Sequence, residues 1–343
     1  MRIMHLLQSS KFSGAESVVC QIIEAFQNDD DIEMFYVSQV GEIESVLKKR
    51  GIHYYLLNSF TQKEIDKAVK EIKPHIIHAH DFNASVRAAK YKQCSIISHI
   101  HNNPLWFSKI DPRTLIYGLS IKKYAKIIGV SSSILNEFIL SKRMEKKFVL
   151  LPNVVSKESV LEKSNEACDV SADVLFVGRL AQAKDPLLFL EIINEIVKSQ
   201  SNIKALMIGE GELREECEAY ISKNNLEKNV KLQGFEPNPY KYMKNSKMLV
   251  MTSIYEGFGL VAVEAMILGV PVICRGIGGL VDIVDNETGY LCNSIESYCI
   301  AITNLLDNSK ERFQKGALSQ NKADKFCNLK LYKKQLIDIY KSM

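Results

Sequence analysis

Two glutamates, Glu256 and Glu264, flank the run Gly257-Phe258-Gly259-Leu260-Val261-Ala262-Val263, where a strand-like segment ending at Thr252 gives way to a glycine loop and then a helix. The first turn of such a helix leaves backbone N–H groups unpartnered, which favours an anion. Gly257 and Gly259 let a ligand approach without a Cβ in its way. Carboxylates beside an anion site repel the anion, so this pair is read as accepting hydrogen bonds from sugar-like hydroxyls. Upstream, Arg179 and Lys184 lie five apart on the loop after the strand ending at Val177. Arginine grips phosphate oxygens with two parallel hydrogen bonds and lysine acts as a point charge. Together they suit a diphosphate and the negative charge that grows when a bond to it breaks. Each motif alone also reads as an ordinary strand-to-helix turn with surface charges; their combination points to a ligand carrying both phosphate and hydroxyls.

Strand-like and helix-like segments alternate along the chain. Apolar runs at Arg2–Leu7, Glu33–Val37, His53–Leu57, His75–Ala79, Ser95–Ile100, Lys126–Val130 and Lys147–Leu151 are separated by amphipathic stretches. The rhythm restarts at Asp173–Val177 and continues through Val272–Cys274, and two amphipathic helices near Ile295–Leu306 and Leu329–Tyr340 close it. Short apolar strands alternating with helices predict α/β architecture with parallel sheets covered on both faces. Residues 1–155 form one Rossmann-like domain, the polar segment 156–171 a linker, and 172–325 a second Rossmann-like domain. The last helix, within 326–343, crosses back to the first. Ligands of open α/β sheets bind beyond the carboxyl ends of the strands, which is where the motifs fall.

The start of the chain lacks the long apolar stretch of a signal peptide, and no run approaches a membrane span. Eight scattered cysteines, without a C-x-x-C pair, read as reduced buried thiols and a cytoplasmic setting. Residues 1–155 hold 21 Lys/Arg against 15 Asp/Glu. That excess is either ordinary surface variation or a face for anionic lipid or a phosphorylated acceptor. His75, His78, His80, His99 and His101 cluster in sequence, but alternate residues on strands are not helical metal ligands at i,i+4. Asp29-Asp30-Asp31 contains a formal D-x-D, yet it sits between a helix and the next strand and reads as solvated loop charge. No metal site is expected.

Glu256 and Glu264, with their filling and the following Ala265-Met-Ile-Leu-Gly269-Val-Pro271-Val-Ile, resemble the E-x7-E signature of retaining GT-B glycosyltransferases of family 4, the glycosyl transferases group 1. The resemblance implies a GT-B arrangement of two Rossmann-like domains with a cleft between them. It further implies that Glu264 binds ribose hydroxyls, Glu256 contacts the donor sugar, and the backbone of Gly257, Phe258, Gly259 and Leu260 cradles sugar and phosphate. Val177-Gly178-Arg179 through Lys184 matches the family's diphosphate-binding pair. Phe12-Ser13-Gly14-Ala15-Glu16 looks like its first glycine loop, and the turns at Gly209 and Phe235 match loops that wrap the base. His101 falls where the family keeps a histidine near the reacting sugar, and His80 and His99 are acceptor-side or structural. Pro152-Asn153-Val154-Val155 departs from the usual hinge, and Asp282 stands where the family commonly has Glu.

The activity so implied is metal-independent, retaining transfer from a nucleotide-diphosphate sugar, a UDP-sugar first, to a glycan or lipid-linked acceptor of bacterial surface polysaccharide synthesis. No cofactor and no nucleic acid enter, and the basic half suits peripheral contact with an anionic membrane. The rivals are a sugar-nucleotide epimerase on the same fold and a two-lobed sugar-binding protein. An epimerase would need acid/base groups around the sugar and no acceptor; a binding protein should carry a secretory signal.

Overall fold

The computed structural model describes residues 1–343. They divide into two compact units, Met1–Val154 with Leu329–Met343, and Val155–Asn328.

The first unit is built on strands β1 (Arg2–Leu6), β2 (Glu33–Gln39), β3 (Tyr54–Leu57), β4 (Ile76–His80), β5 (Ser95–Ile100), β6 (Lys126–Gly129) and β7 (Phe148–Leu150), in the order β3-β2-β1-β4-β5-β6-β7. The second carries β8 (Ala172–Val177), β9 (Ala205–Ile208), β10 (Val230–Gly234), β11 (Ser246–Met251), β12 (Val272–Arg275) and β13 (Gly289–Cys292), in the order β10-β9-β8-β11-β12-β13. Every neighbouring pair is parallel. Central strands buried on both faces must be apolar throughout, as Ile76–Ala79 and Met248–Met251 largely are. Helices such as Gly14–Phe26 and Pro186–Val197 seal the faces with buried aliphatic rows. In each sheet the winding reverses once, between β1 and β4 and between β8 and β11. Strand-end loops diverge at such a point and leave a crevice.

Three segments differ from the pattern read in the sequence. Residues 156–171 are not simply a linker: Lys157–Ser164 is a helix of the second unit, its first turn capped by the Ser156 hydroxyl, which accepts the Ser159 N–H at 3.2 Å. It buries Val160 and Ser164 against helices Tyr240–Lys244 and Leu260–Ile267. So short an apolar face leaves almost no periodic signal. A further helix, Ser309–Ala323, lies between the two closing helices and turns Lys315, Gly316, Ser319 and Ala323 inward. Its inner face is small and polar, with the Ser319 hydroxyl donating to the Thr288 carbonyl at 2.8 Å, so hydrophobic periodicity misses it. Strand β13 is likewise too short and mixed to stand out. The final helix, Leu329–Lys341, buries Tyr332, Leu336, Ile339 and Tyr340 within the first unit, Tyr340 meeting Phe26 edge-on.

Candidate active site

At the reversal point of the second sheet, loops from β8, β9, β11 and β12 are packed backbone on backbone. A Cβ on Gly209 would fall 1.8 Å from the Gly178 carbonyl oxygen, and one on Gly278 would fall 1.9 Å from that of Glu256. Both glycines have positive φ, 143° and 51°, so any side chain there is strained as well as obstructed. Hydrogen bonds close the same contacts: Gly178 N–H donates to Ile208 O at 3.0 Å, Leu180 N–H to Glu210 O at 2.9 Å, and Gly279 N–H to Glu256 O at 3.0 Å. Thr252 sets its hydroxyl between the carbonyls of Lys184 and Asp185, at 2.9 and 2.8 Å, and Ile254 N–H donates to Ala183 O at 2.9 Å. The Lys184 loop and the Glu256 loop are thereby fixed side by side.

On that frame Lys184 forms an ion pair with Glu256, and the Ser253 hydroxyl reaches the same carboxylate at 3.4 Å. Arg179 is exposed and makes no ion pair. Gly257, Phe258 and Gly259 follow; the Phe258 ring turns into the core against Phe326, leaving only its backbone to the loop. Leu260 begins the helix Leu260–Ile267, and Glu264 lies just over one turn along it. The Glu264 carboxyl accepts from the Tyr240 hydroxyl at 3.1 Å, and burial pushes it up to about 7 against that hydrogen bond and the charge of Lys163. Phe235, just past β10, leaves its ring 73% exposed beside the Gly209 turn.

The reversal point of the first sheet holds a cavity of about 450 Å³ lined by Ser9, Ser10, Glu16, His80, Asp81 and Asn83 among others. Gly14 opens the neighbouring helix Gly14–Phe26. Asp81 adopts a left-handed backbone, φ 63°, and its carboxylate accepts the His101 N–H at 2.9 Å. Burial holds that carboxyl up at about 6.

Beneath the cavity, parallel register sets His5 beside His78 and His80 beside His99, and His101 follows β5 directly. The five rings form two hydrogen-bonded rows. In one, His5 Nδ1 lies 3.0 Å from His80 Nε2, and His80 Nδ1 lies 2.9 Å from His101 Nε2. In the other, Tyr340 Oη, His78 and His99 are linked at 2.8 and 3.1 Å. A neutral imidazole has one donor and one acceptor nitrogen, so within the first row each tautomer dictates the next. The ends, His5 Nε2 and His101 Nδ1, have no partner. His80, His99 and His101 bring ring nitrogens within 4.8 Å of one another, as do His5, His78 and His80. Their rings, however, lie at only 18–38° to each other. In each trio one pair of ring nitrogens is already hydrogen-bonded to each other, His80 with His101 and His5 with His80.

The structure thus places Arg179, Lys184, Gly209, Phe235 and Glu256 on loops at the carboxyl ends of the second sheet, Glu264 on the helix that follows one of them, and His80 on the cavity of the first unit. His99 is buried within the rows and does not line that cavity. His75, counted with the cluster in the sequence, is exposed, its ring accepting the Arg2 N–H. His5 takes its place. Sequence reasoning also missed Tyr240 and Asp81; alternation along β1 would have put His5 on the shared face only once β1 was known to neighbour β4.

Five neutral histidines in the core make the first unit acid-sensitive. Burial lowers His5 to about 3 and His101 to about 4, from an ordinary 6.5, and drives His78, His80 and His99 down as well. The unfolded chain then binds more protons than the folded one below 6.5, so stability is kept above that pH and lost as pH falls. At pH 5, holding His5 and His101 neutral costs about 2 kcal/mol each, whereas Asp81, raised instead of lowered, offsets about 1 kcal/mol. His78, His80 and His99 act in the same direction, against a whole domain's stability of roughly 5–15 kcal/mol. Trp106, the single tryptophan, lies in this unit. Its emission is expected to report cooperative unfolding roughly between pH 6 and 5; emission unchanged down to about pH 4 would contradict the neutral network.

The family model for Glycosyl transferases group 1 matches residues 160–320. The uncharacterized glycosyltransferase MJ1178 of Methanocaldococcus jannaschii is 30% identical over 302 residues, covering 84% of this chain and 80% of the relative. The N-acetylgalactosamine-N,N'-diacetylbacillosaminyl-diphospho-undecaprenol 4-alpha-N-acetylgalactosaminyltransferase of Campylobacter jejuni is 34% identical over 130 residues, 38% of this chain and 35% of that enzyme. In three relatives, this one included, the aligned part spans 57, 35 and 24% of the relative's own length. Among solved structures, Anabaena Alr3699/HepE in complex with UDP shares the fold with a TM-score of 0.88 at 17% identity, over 100% of both chains. With its two parallel-sheet units and this extended similarity, the chain belongs to the glycosyl transferases group 1 family and has the GT-B fold.

Proposed function

We propose that the protein is a retaining, metal-independent glycosyltransferase whose second unit binds a nucleotide-diphosphate sugar, a UDP-sugar first, for transfer to a glycan or lipid-linked acceptor. The observation that carries this reading is the fixed pair of loops bearing Lys184 and Glu256, with the unpaired Arg179 beside them. Without donor, the Lys184 ammonium is held by a carboxylate. A diphosphate offers it more negative charge, and the released Glu256 carboxylate then accepts from hydroxyls of the donor sugar. As the bond from the anomeric carbon to phosphate breaks, charge grows on the phosphate oxygens, and Arg179 and Lys184 stabilise it from fixed positions. These cations supply the positive charge that a divalent ion supplies elsewhere. The leaving phosphate itself takes the acceptor proton in a front-face displacement through an oxocarbenium-like transition state.

Glu264, set by Tyr240, accepts from the ribose hydroxyls, the Phe235 ring stacks on the base, and the Gly209 turn lines the base with backbone. On the first unit, the family resemblance gives roles toward the ligands to Gly14, at the start of its helix, to His80, on the cavity, and to His101. UDP in the Alr3699/HepE complex supports a uridine nucleotide. The diphospho-undecaprenol substrate in the Campylobacter enzyme's name supports a lipid-linked acceptor and a place in surface glycan synthesis.

Incubation with UDP-sugars and candidate acceptors, read by NMR of the product's anomeric configuration, tests the reaction; an inverted product or an epimer without transfer contradicts it. Activity is expected to survive EDTA, and a complete loss rescued by manganese would remove the role given to Arg179 and Lys184.

The two glutamates separate kinetically. Glu264→Gln removes binding shared by ground and transition states, so it is expected mainly to raise the donor KM. It should also erase an apparent pKa near 7 from the kcat/KM profile, which reports groups of the free enzyme. Glu256→Gln should mainly lower kcat, by about 2–4 kcal/mol of transition-state stabilisation. Wild-type kinetics in both variants would refute the site.

A further inference from the structure

Helix Pro112–Ser120 of the first unit has one face in the core and one in solvent. Thr114, Tyr117 and Gly118 are buried, whereas Leu115, Ile116 and Leu119 point outward at helical spacing. Leu105 and Ile110 precede them on a loop tied to the helix start by the Thr114 hydroxyl, which donates to the Trp106 carbonyl at 2.8 Å. Ile139 follows on a segment held against the same loop by its N–H to Phe107 O at 3.3 Å. These six aliphatic side chains are between 43 and 81% exposed. No helix of the chain is long and apolar enough to cross a membrane, so the patch is a surface feature.

The charge around it is predominantly positive. Residues 101–150 contain nine Lys/Arg and three Asp/Glu. Lys109, Lys122, Lys123, Lys142, Arg143 and Lys146 are exposed, and Arg143 also reaches the Gly118 carbonyl at 3.4 Å, which seats its segment beside the helix. Lys147 donates to the carbonyls of Ile121 and Lys122, both at 3.1 Å, and so binds the next turn at the helix C-terminus. Of the acids, Asp111 is neutralised by Arg113 at 2.8 Å and Glu137 accepts from Asn103 at 2.9 Å, leaving Glu145.

We propose that this face docks on an anionic lipid bilayer, with Ile110, Leu115, Ile116 and Leu119 entering the headgroup–acyl boundary and the surrounding lysines meeting lipid phosphates. An apolar helix face with a cationic border, lying parallel to the surface, is the physical pattern of interfacial binding. The border favours lipid over protein. Protein interfaces are depleted in lysine and enriched in aromatic residues, whereas this rim is lysine-rich and its centre aliphatic. A second copy related by a two-fold axis would set like charges against one another. The inference is independent of the donor-site reading and needs no substrate to test.

The experiment is co-sedimentation of the full chain with vesicles of neutral phosphatidylcholine, and of the same lipid with about 30% phosphatidylglycerol, at low salt and at about 0.5 M salt. Two variants accompany it: Ile116→Asp with Leu119→Asp, and Lys122→Glu with Lys123→Glu. All four positions are exposed, and circular dichroism and Trp106 emission verify folding. Expected are binding to the anionic vesicles only, a reduction of at least about tenfold in high salt, and a similar loss in each variant. Absent or lipid-independent binding overturns the proposal, as does undiminished binding of the aspartate variant. Salt-stable self-association abolished by the aspartates would assign the face to a second copy and overturn it too. UDP binding, measured on the same variants, should be unchanged, so a failed donor site and a failed docking face give different results.

Discussion

The second unit depends on the near-contact of backbones where its sheet reverses direction. Gly209 against Gly178 and Gly278 against Glu256 leave no room for a side chain, and the loops meet through main-chain hydrogen bonds. Such contacts have few ways to adjust, because a backbone atom cannot rotate aside as a side chain can. They fix where Lys184 and Glu256 emerge, and an electrostatic site is effective to the extent that its charges are in place before the ligand arrives. The ion pair itself follows from the same closeness: two opposite charges, each partly shielded from water, neutralise one another.

The first unit meets a different constraint. Its central strands must be buried, yet β1, β4 and β5 carry four imidazoles on one face and His101 follows directly after β5. Burying a polar group without a partner is costly, and the histidines limit that cost by bonding to one another and, through Tyr340, to the final helix. The rows tie the terminal helix to the strands beneath the cavity and fix the orientation of His101, whose backbone N–H also donates to the Asp81 carboxylate. The five rings remain neutral, so they act as donors and acceptors and not as charges.

What the sequence displayed and what it hid follow from the range of the interactions. Glu256 and Glu264 were legible because loop and helix are consecutive and Glu264 falls just over one turn into the helix. Arg179 and Lys184 were legible for the same reason. The parallel architecture was legible because strands buried on both faces are largely apolar and alternate with amphipathic helices. His5 was not, since its partners are set by the neighbour of β1 in the sheet, 73 residues away in His78. The helix Ser309–Ala323 was not, since its buried face is Gly316, Ser319 and Ala323 with the stem of Lys315, which carry no hydrophobic period. Lys157–Ser164 read as a linker because a single buried valine is too little signal. Tyr240 escaped because its role exists only through the carboxyl of Glu264, reached by tertiary packing.

The central claim is that the loops around Lys184 and Glu256 form a preorganised diphosphate site. Calorimetric titration of UDP into the parent chain and into Lys184→Ala tests it without any assumption about sugar or acceptor. The variant is expected to keep its melting temperature within a few degrees, because Lys184 is partly exposed and the loop is held by backbone contacts, and to bind UDP at least about tenfold more weakly. Equal affinity in the two proteins, with the fold intact, would contradict it.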